Sequence, residues 1–352
     1  MKENYALMTC PYVKPVVGGG RDCSIDILKG FGIILVLVAH SLGGYVHTFA
    51  YSFHMPLFFL VTGYFCKPKP IAEAMKKDFA RLFVPFFFTA IVMLIVSLAL
   101  SPFDIEGVKS PAYTFEALIY GNGSSVNHHK IWGNWSVVGS VWFLPALFWA
   151  KTVFNCLIHK ENNITPWVIL MIGGLAAWAG QYILLPYSLL QGLTALPFLL
   201  IGYYAKKTGG LDVVNKMIVS KVWLAVLVVS CCVGWFMTTF GNNLDMAQFN
   251  WSLCYYPNLI FATAGTYVFY LISLLISKMN GWISSSLAFL GKYSLILVCF
   301  PVIETYVIPF NQMIPNMPMK SFVLLACKVL WCVLAMVMSF KIPVLRKLFA
   351  IK

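Results

Sequence analysis

Apolar stretches recur along nearly the whole chain, and most are long enough to cross roughly 30 Å of hydrocarbon. Backbone N–H and C=O groups find no water at that depth, so each crossing segment must satisfy them internally. The pattern argues for one helical bundle in a lipid bilayer rather than for two soluble domains. Composition agrees. Of 352 residues, 60% are hydrophobic and 11% charged, against about 45–50% and about 25% in soluble domains.

Ten apolar segments can be placed, near 27–46, 53–66, 80–100, 140–158, 165–180, 186–205, 221–239, 256–276, 284–303 and 321–340. The expected fold is all-α, a polytopic transmembrane bundle of about ten spans occupying residues 24–352. Segment 53–66 is short for a full span, so it is expected to end against protein or where the bilayer thins. Residues 1–23, with Lys2, Glu3, Pro11, Lys14 and Pro15, lack an apolar core and read as a cytoplasmic N-terminal tail. No Gly- or Ser-rich linker and no repeat divides the rest.

Charge sets the orientation. With the N-terminus cytoplasmic, the inner loops carry Lys67, Lys69, Lys76, Lys77 and Arg81, then Lys160, then Lys206, Lys207, Lys216 and Lys221, then Lys278. Lys341, Arg346, Lys347 and Lys352 follow at the C-terminal end, whereas the outer loops hold only Lys109, Lys130 and Lys320. Both termini are therefore expected to be cytoplasmic. The net charge of +13 fits loops facing anionic lipid headgroups, and no motif points to a nucleic-acid partner. Cys66, Cys156, Cys231, Cys232, Cys254, Cys299, Cys327 and Cys332 lie in or beside apolar runs. None stands at metal-ligand spacing, so they read as small hydrophobes and no metal is expected. The outer connection 101–139 is long enough to suggest either a function or disorder. It holds His128, His129, Trp132, Asn134 and Trp135; the tryptophan rings suit interfacial anchoring or sugar stacking, and the His pair is left open.

His40 is the main chemical candidate, an ionisable group well inside an apolar helix. Lys29 precedes it by eleven residues, about three turns and about 16 Å of rise on nearly the same face. A cation at the helix mouth and a histidine at depth suit a phosphate-bearing donor with an extended thioester arm. Lys29 suits a snorkelling anchor as well, and His40 suits a neutral interhelical hydrogen bond. His47 and His54 lie near the outer boundary, and His54 flanks a helix start at Pro56. Lys151 and Lys328 fall within apolar spans and Lys292 near the inner end of one, while Glu304 sits at an outer end. The spans hold so little carboxylate that an anionic ligand, coenzyme A or an undecaprenyl-type phosphate, is the expected partner of the buried cations. Snorkelling suits Lys292 better than the deeper Lys151.

Asp26-Ile27-Leu28-Lys29-Gly30, His40, and Phe53-His54-Met55-Pro56-Leu57-Phe58-Phe59 followed by Thr62-Gly63-Tyr64 resemble the acyltransferase 3 family, fucose 4-O-acetylase-like branch. Arg81 with Pro85, Trp142-Phe143-Leu144, Leu196-Pro197-Phe198 with Gly202-Tyr203, and Leu290-Gly291-Lys292-Tyr293-Ser294 extend the resemblance across nearly the whole chain. The resemblance implies an O-acyltransferase of the inner (plasma) membrane. Acyl-CoA, with acetyl as the expected acyl group, would be the co-substrate, and a hydroxyl of a cell-surface or lipid-linked glycan the acceptor. It implies His40 as the catalytic residue, acting as general base or carrying the acyl group. Lys29 and Arg81 would hold the coenzyme A phosphates, with His54 and Trp142 as substrate-binding residues. Two positions depart from the pattern. Lys29 stands where the family often has Arg, so the bidentate fork is lost. Leu297-Val298-Cys299-Phe300-Pro301 lacks the histidine found there in many relatives. A transporter or flippase of a lipid-linked sugar is the alternative from a different class, although the sequence shows no paired broken helices or inverted repeat. A third reading is a degenerate member that only binds or senses an acylated ligand.

Overall fold

The structure, a computed structural model, describes residues 23–123, 136–209, 221–240, 244–251, 254–279, 281–307, 314 and 319–351. The expected tail, the His128, His129, Trp132, Asn134 and Trp135 group, and Lys216 lie outside the described residues. Within them the chain is helical, and the only pairings of strand type are the isolated bridges Asn122–Val137 and Asp245–Asn250. The helices are α1 (Cys23–Leu42), α2 (Gly44–Tyr51), α3 (His54–Tyr64), α4 (Ile71–Asp78), α5 (Val84–Leu100), α6 (Pro111–Tyr120), α7 (Phe143–His159) and α8 (Thr165–Ala179). They continue with α9 (Leu189–Thr194), α10 (Leu196–Lys207), α11 (Lys221–Phe240), α12 (Tyr255–Lys278), α13 (Trp282–Lys292), α14 (Ser294–Val307), α15 (Lys320–Lys341) and α16 (Pro343–Leu348).

Every apolar segment seen in the sequence contains a helix, yet the count of spans changes. Among the described residues five helical stretches are long and apolar enough to cross a bilayer, or seven if two bent pairs each count as one span. The expected ten spans are not confirmed. Apolar run length does not register breaks: α9 and α10 meet at 51°, and α13 and α14 at 71°. The remaining three are short. Helix α3 has 11 residues, α8 has 15, and the apolar part of α11 is Val222–Met237.

Close backbone crossings hold the bundle together. Lipid is as apolar as leucine, so small residues that let backbones approach are what favour helix association in a membrane. A Cβ at Gly63 would stand 2.1 Å from the Leu199 carbonyl oxygen, and one at Gly202 would stand 2.1 Å from that of Leu60. Helices α3 and α10 thus touch through glycine from both sides. The same arrangement joins α1 to α13, where a Cβ at Gly30 would stand 2.2 Å from the Leu287 oxygen and one at Gly291 would stand 1.7 Å from the Asp26 oxygen. Around these crossings lie Phe59, Phe86, Phe154 and Phe198, all fully buried.

Residues 244–251 close one end of the bundle. Gln191 on α9 donates from Nε2 to the Ala247 carbonyl at 3.2 Å, and the Phe249 ring fills the space above Gly180. Asp245 organises this segment by accepting the Ala247 N–H at 2.9 Å. Burial pushes its carboxyl up to about 6, partly offset by the N–H groups of Ala247 and Gln248.

Two outcomes follow. Gly202→Ala forces α3 and α10 apart and lowers stability by about 1–3 kcal/mol, the usual cost of overpacking; Gly281→Ala, whose nearest contact would be 4.0 Å away, leaves the apparent Tm in detergent unchanged. Asp245 has a raised pKa, so its protonated form favours the fold; that contribution is complete below the unfolded value near 3.8 and is lost as pH rises through about 6. Asp245→Asn therefore stabilises the protein at pH 8, by on the order of 1–2 kcal/mol, and has little effect at pH 4 when melting is followed at both.

Candidate active site

Helix α1 carries the central residue to a break. Gly43 (φ +65°) and Gly44 (φ +53°) occupy the left-handed region, which glycine enters without steric cost. Among the described residues a Cβ at either would meet nothing within 4 Å, so the break faces open space there. His40 lies in the last turn of α1, and its side chain is exposed at this opening. From α15, the Lys328 Nζ donates to the His40 carbonyl at 3.3 Å.

Four rings gather around the break, His40 before it and His47, Tyr51 and His54 after it. Tyr51 lies 5.9 Å from His40 edge to face, stacks on His47 at 3.8 Å, and lies 4.8 Å from His54 between ring centroids. His54 is buried, and its Nδ1 is 2.8 Å from the Ala50 carbonyl. A carbonyl only accepts, so Nδ1 carries the hydrogen and donates it, leaving Nε2 as the acceptor of the neutral ring. Tyr51 is the residue the sequence reading missed. Its signal was present: positions 40, 47, 51 and 54 repeat at steps of 7, 4 and 3, the spacing of one helical face.

The other expected residues are dispersed. Lys29 pairs with Asp26 at 2.8 Å and keeps 23% of its side chain exposed. The α1–α13 crossing at Gly30 and Gly291 holds this pair in place. Arg81 is exposed on a π-helical turn, Phe79–Phe83, between α4 and α5; such turns occur frequently at functional sites. Trp142 is buried, its ring directly beneath Gly123 and edge to face with Phe143. His54 and Trp142 are therefore both enclosed, with His54 joined through Tyr51 to the His40 group.

The buried lysines have protein partners, contrary to the expectation that a ligand supplies their anions. Lys151 of α7 forms an ion pair with Asp78 at the end of α4, and Lys328 lies 3.9 Å from Glu304 of α14. Sequence reasoning treated Glu304 as an outer-end residue and gave Asp78 no role, because pairing across 73 positions has no local signature. Nearby, Asn155 clamps the Lys69 backbone, donating to its carbonyl at 2.8 Å and accepting from its N–H at 3.0 Å. On the adjoining loop, the Lys207 ammonium and the Tyr204 hydroxyl hold the Glu161 carboxyl below its ordinary range. Among the described residues, no group of three or more His, Cys, Asp and Glu side chains is arranged to hold a metal ion.

The sequence profile of the acyltransferase domain matches residues 23–338, from the first residue of α1 almost to the end of α15. The chain belongs to the acyltransferase 3 family. Comparison with curated proteins and with solved structures gives no match. The protein is thus an enzyme, a membrane acyltransferase. In this acyltransferase the matched region contains the α1 break, the ring group and both internal ion pairs.

The Asp78–Lys151 pair provides a test of how the lysine-rich end is held. Lys151→Met leaves Asp78 charged and largely buried and lowers stability by about 1–3 kcal/mol. The Asp78→Asn, Lys151→Met double variant recovers part of that loss, as measured by thermal melting of the purified enzyme.

Proposed function

We propose that this acyltransferase moves an acyl group, acetyl, from cytoplasmic acyl-CoA to a hydroxyl of a cell-surface or lipid-linked glycan. On this reading it sits in the inner (plasma) membrane with both termini cytoplasmic, and belongs to the fucose 4-O-acetylase-like branch. The exposure of His40 at a break in a transmembrane helix carries the proposal. An ionisable group at membrane depth is costly unless it faces a cavity or a partner. Non-helical backbone at that depth likewise belongs where a cavity is lined.

Lys29 and Arg81 suit the phosphates of acyl-CoA, since both are cationic and reachable, with Lys29 acting as a point charge and Arg81 as a fork. Lys29 would share its ammonium between Asp26 and phosphate. The thioester supplies the activated acyl group. His40 acts as general base: a ring nitrogen takes the acceptor hydroxyl proton as the oxygen attacks the thioester carbonyl carbon. The C–S bond then breaks, and the thiolate leaves and receives that proton. Imidazole suits this role because its unperturbed pKa lies near neutrality. His54 and Trp142, both enclosed, would shape the acceptor site from behind its surface.

The bent pairs α9–α10 and α13–α14 are the kind of broken helix a lipid-linked-sugar transporter would also show. Family membership supports acyl transfer instead.

Membranes expressing wild type or His40→Ala, supplied with labelled acetyl-CoA and native lipid-linked glycans, test the reading. Label enters glycan with the wild type and falls at least about 100-fold in the variant, the lower range for loss of a general base. Full transfer by His40→Ala would remove His40 from the chemistry. Label retained on the wild-type protein would make His40 the acyl carrier. No label with either protein, while glycan still crosses the bilayer, would favour transport.

A further inference from the structure

In an unbroken helix the His40 carbonyl would accept the N–H of Gly44. Here the last α1 bond runs from the Gly43 N–H to the Ala39 carbonyl at 3.3 Å, and Gly43, with φ 65° and ψ −158°, turns the chain before α2 begins. The last carbonyls of a helix need other partners, and at membrane depth water is a poor source of them. The Lys328 Nζ, 3.3 Å from the His40 oxygen, supplies one.

The lysine raises a second problem and meets it. Its residue is 6% exposed and Glu304 is 2% exposed, so an ammonium without an anion there would be strongly disfavoured. Glu304 stands 3.9 Å away on α14. One ammonium therefore joins three helices: the end of α1 through a backbone carbonyl, α14 through a carboxylate, and α15 through its own stem. The His40 ring itself meets the Tyr51 ring, 5.9 Å away between centroids. Helix α15 turns Phe322, Val329, Leu330, Val333 and Leu334 outward and buries Leu324, Cys332, Ala335, Met336 and Ser339 on its other face. Lys328 is the charged residue on that buried face.

We infer that Lys328, anchored by Glu304, is a positioning residue for His40, replacing the hydrogen bond that the break in α1 removes from the His40 carbonyl and so fixing where the imidazole stands. It acts through the backbone and has no part in proton transfer. The inference rests on the reading of His40 as the reacting group.

The test uses the full-length enzyme in membranes and compares Lys328→Met, Lys328→Arg and His40→Ala with wild type. Lys328→Met lowers kcat for acetyl transfer per folded molecule by roughly 10- to 100-fold, the scale of a displacement of about 1 Å. KM for acetyl-CoA stays within about twofold, since uniform binding is untouched. Lys328→Arg, which keeps a cationic donor, recovers most of the rate. A second readout is independent of turnover: the rate at which diethyl pyrocarbonate modifies His40, followed by mass spectrometry of the peptide that carries it. That rate changes in Lys328→Met and returns toward wild type in Lys328→Arg. Unchanged kcat per folded molecule, a raised KM at constant kcat, or an unchanged modification rate would each overturn the inference. Full transfer by His40→Ala would overturn the catalytic reading instead, and the modification rate would then still report whether Lys328 holds His40 in place.

Discussion

A helix that stops leaves its last carbonyls without helical partners, and the acyltransferase stops α1 two residues after His40. Two glycines with left-handed backbone make the break possible, and a buried lysine from the far end of the sequence caps it. The open space at Gly43 and Gly44 and the exposure of His40 both follow from that arrangement. With an unbroken α1, His40 would be one more ring on a packed helix face.

Around the break the bundle relies on two kinds of contact. Glycine crossings bring α1 against α13 and α3 against α10 at backbone distance, so the helices that carry the site cannot slide without clashes. Charged groups inside the bundle are matched in pairs, Asp78 with Lys151 and Glu304 with Lys328. Such pairs add little net stability over a well-packed apolar core, but losing one partner is costly. Their effect here is to tie together helices that lipid would otherwise leave free to part.

Sequence carried the helical architecture and the family well, because apolar run length and the motifs of α1 and α3 are local features. The motif glycines Gly63, Gly202 and Gly291 prove to be the crossing points themselves, which gives those blocks a packing reason. What sequence did not carry depends on contact across the chain. Lys328 and Glu304 were read as a stranded cation and a boundary acid, though each is the other's partner. The bend at Tyr293 and that between α9 and α10 were not legible either, because they leave the apolar pattern uninterrupted. Tyr51 was overlooked because it falls in a short helix after a break, although its spacing from His40 and His54 follows one helical face.

On the proposed function, the basic end of α1 receives the donor and His40 stands beside its thioester as general base. A structure of the enzyme with a non-transferable thioether analogue of acetyl-CoA tests it most directly. The account predicts the phosphates at Lys29 and Arg81 and the sulfur against the His40 ring beside Tyr51. An analogue bound with its sulfur remote from His40 would contradict it.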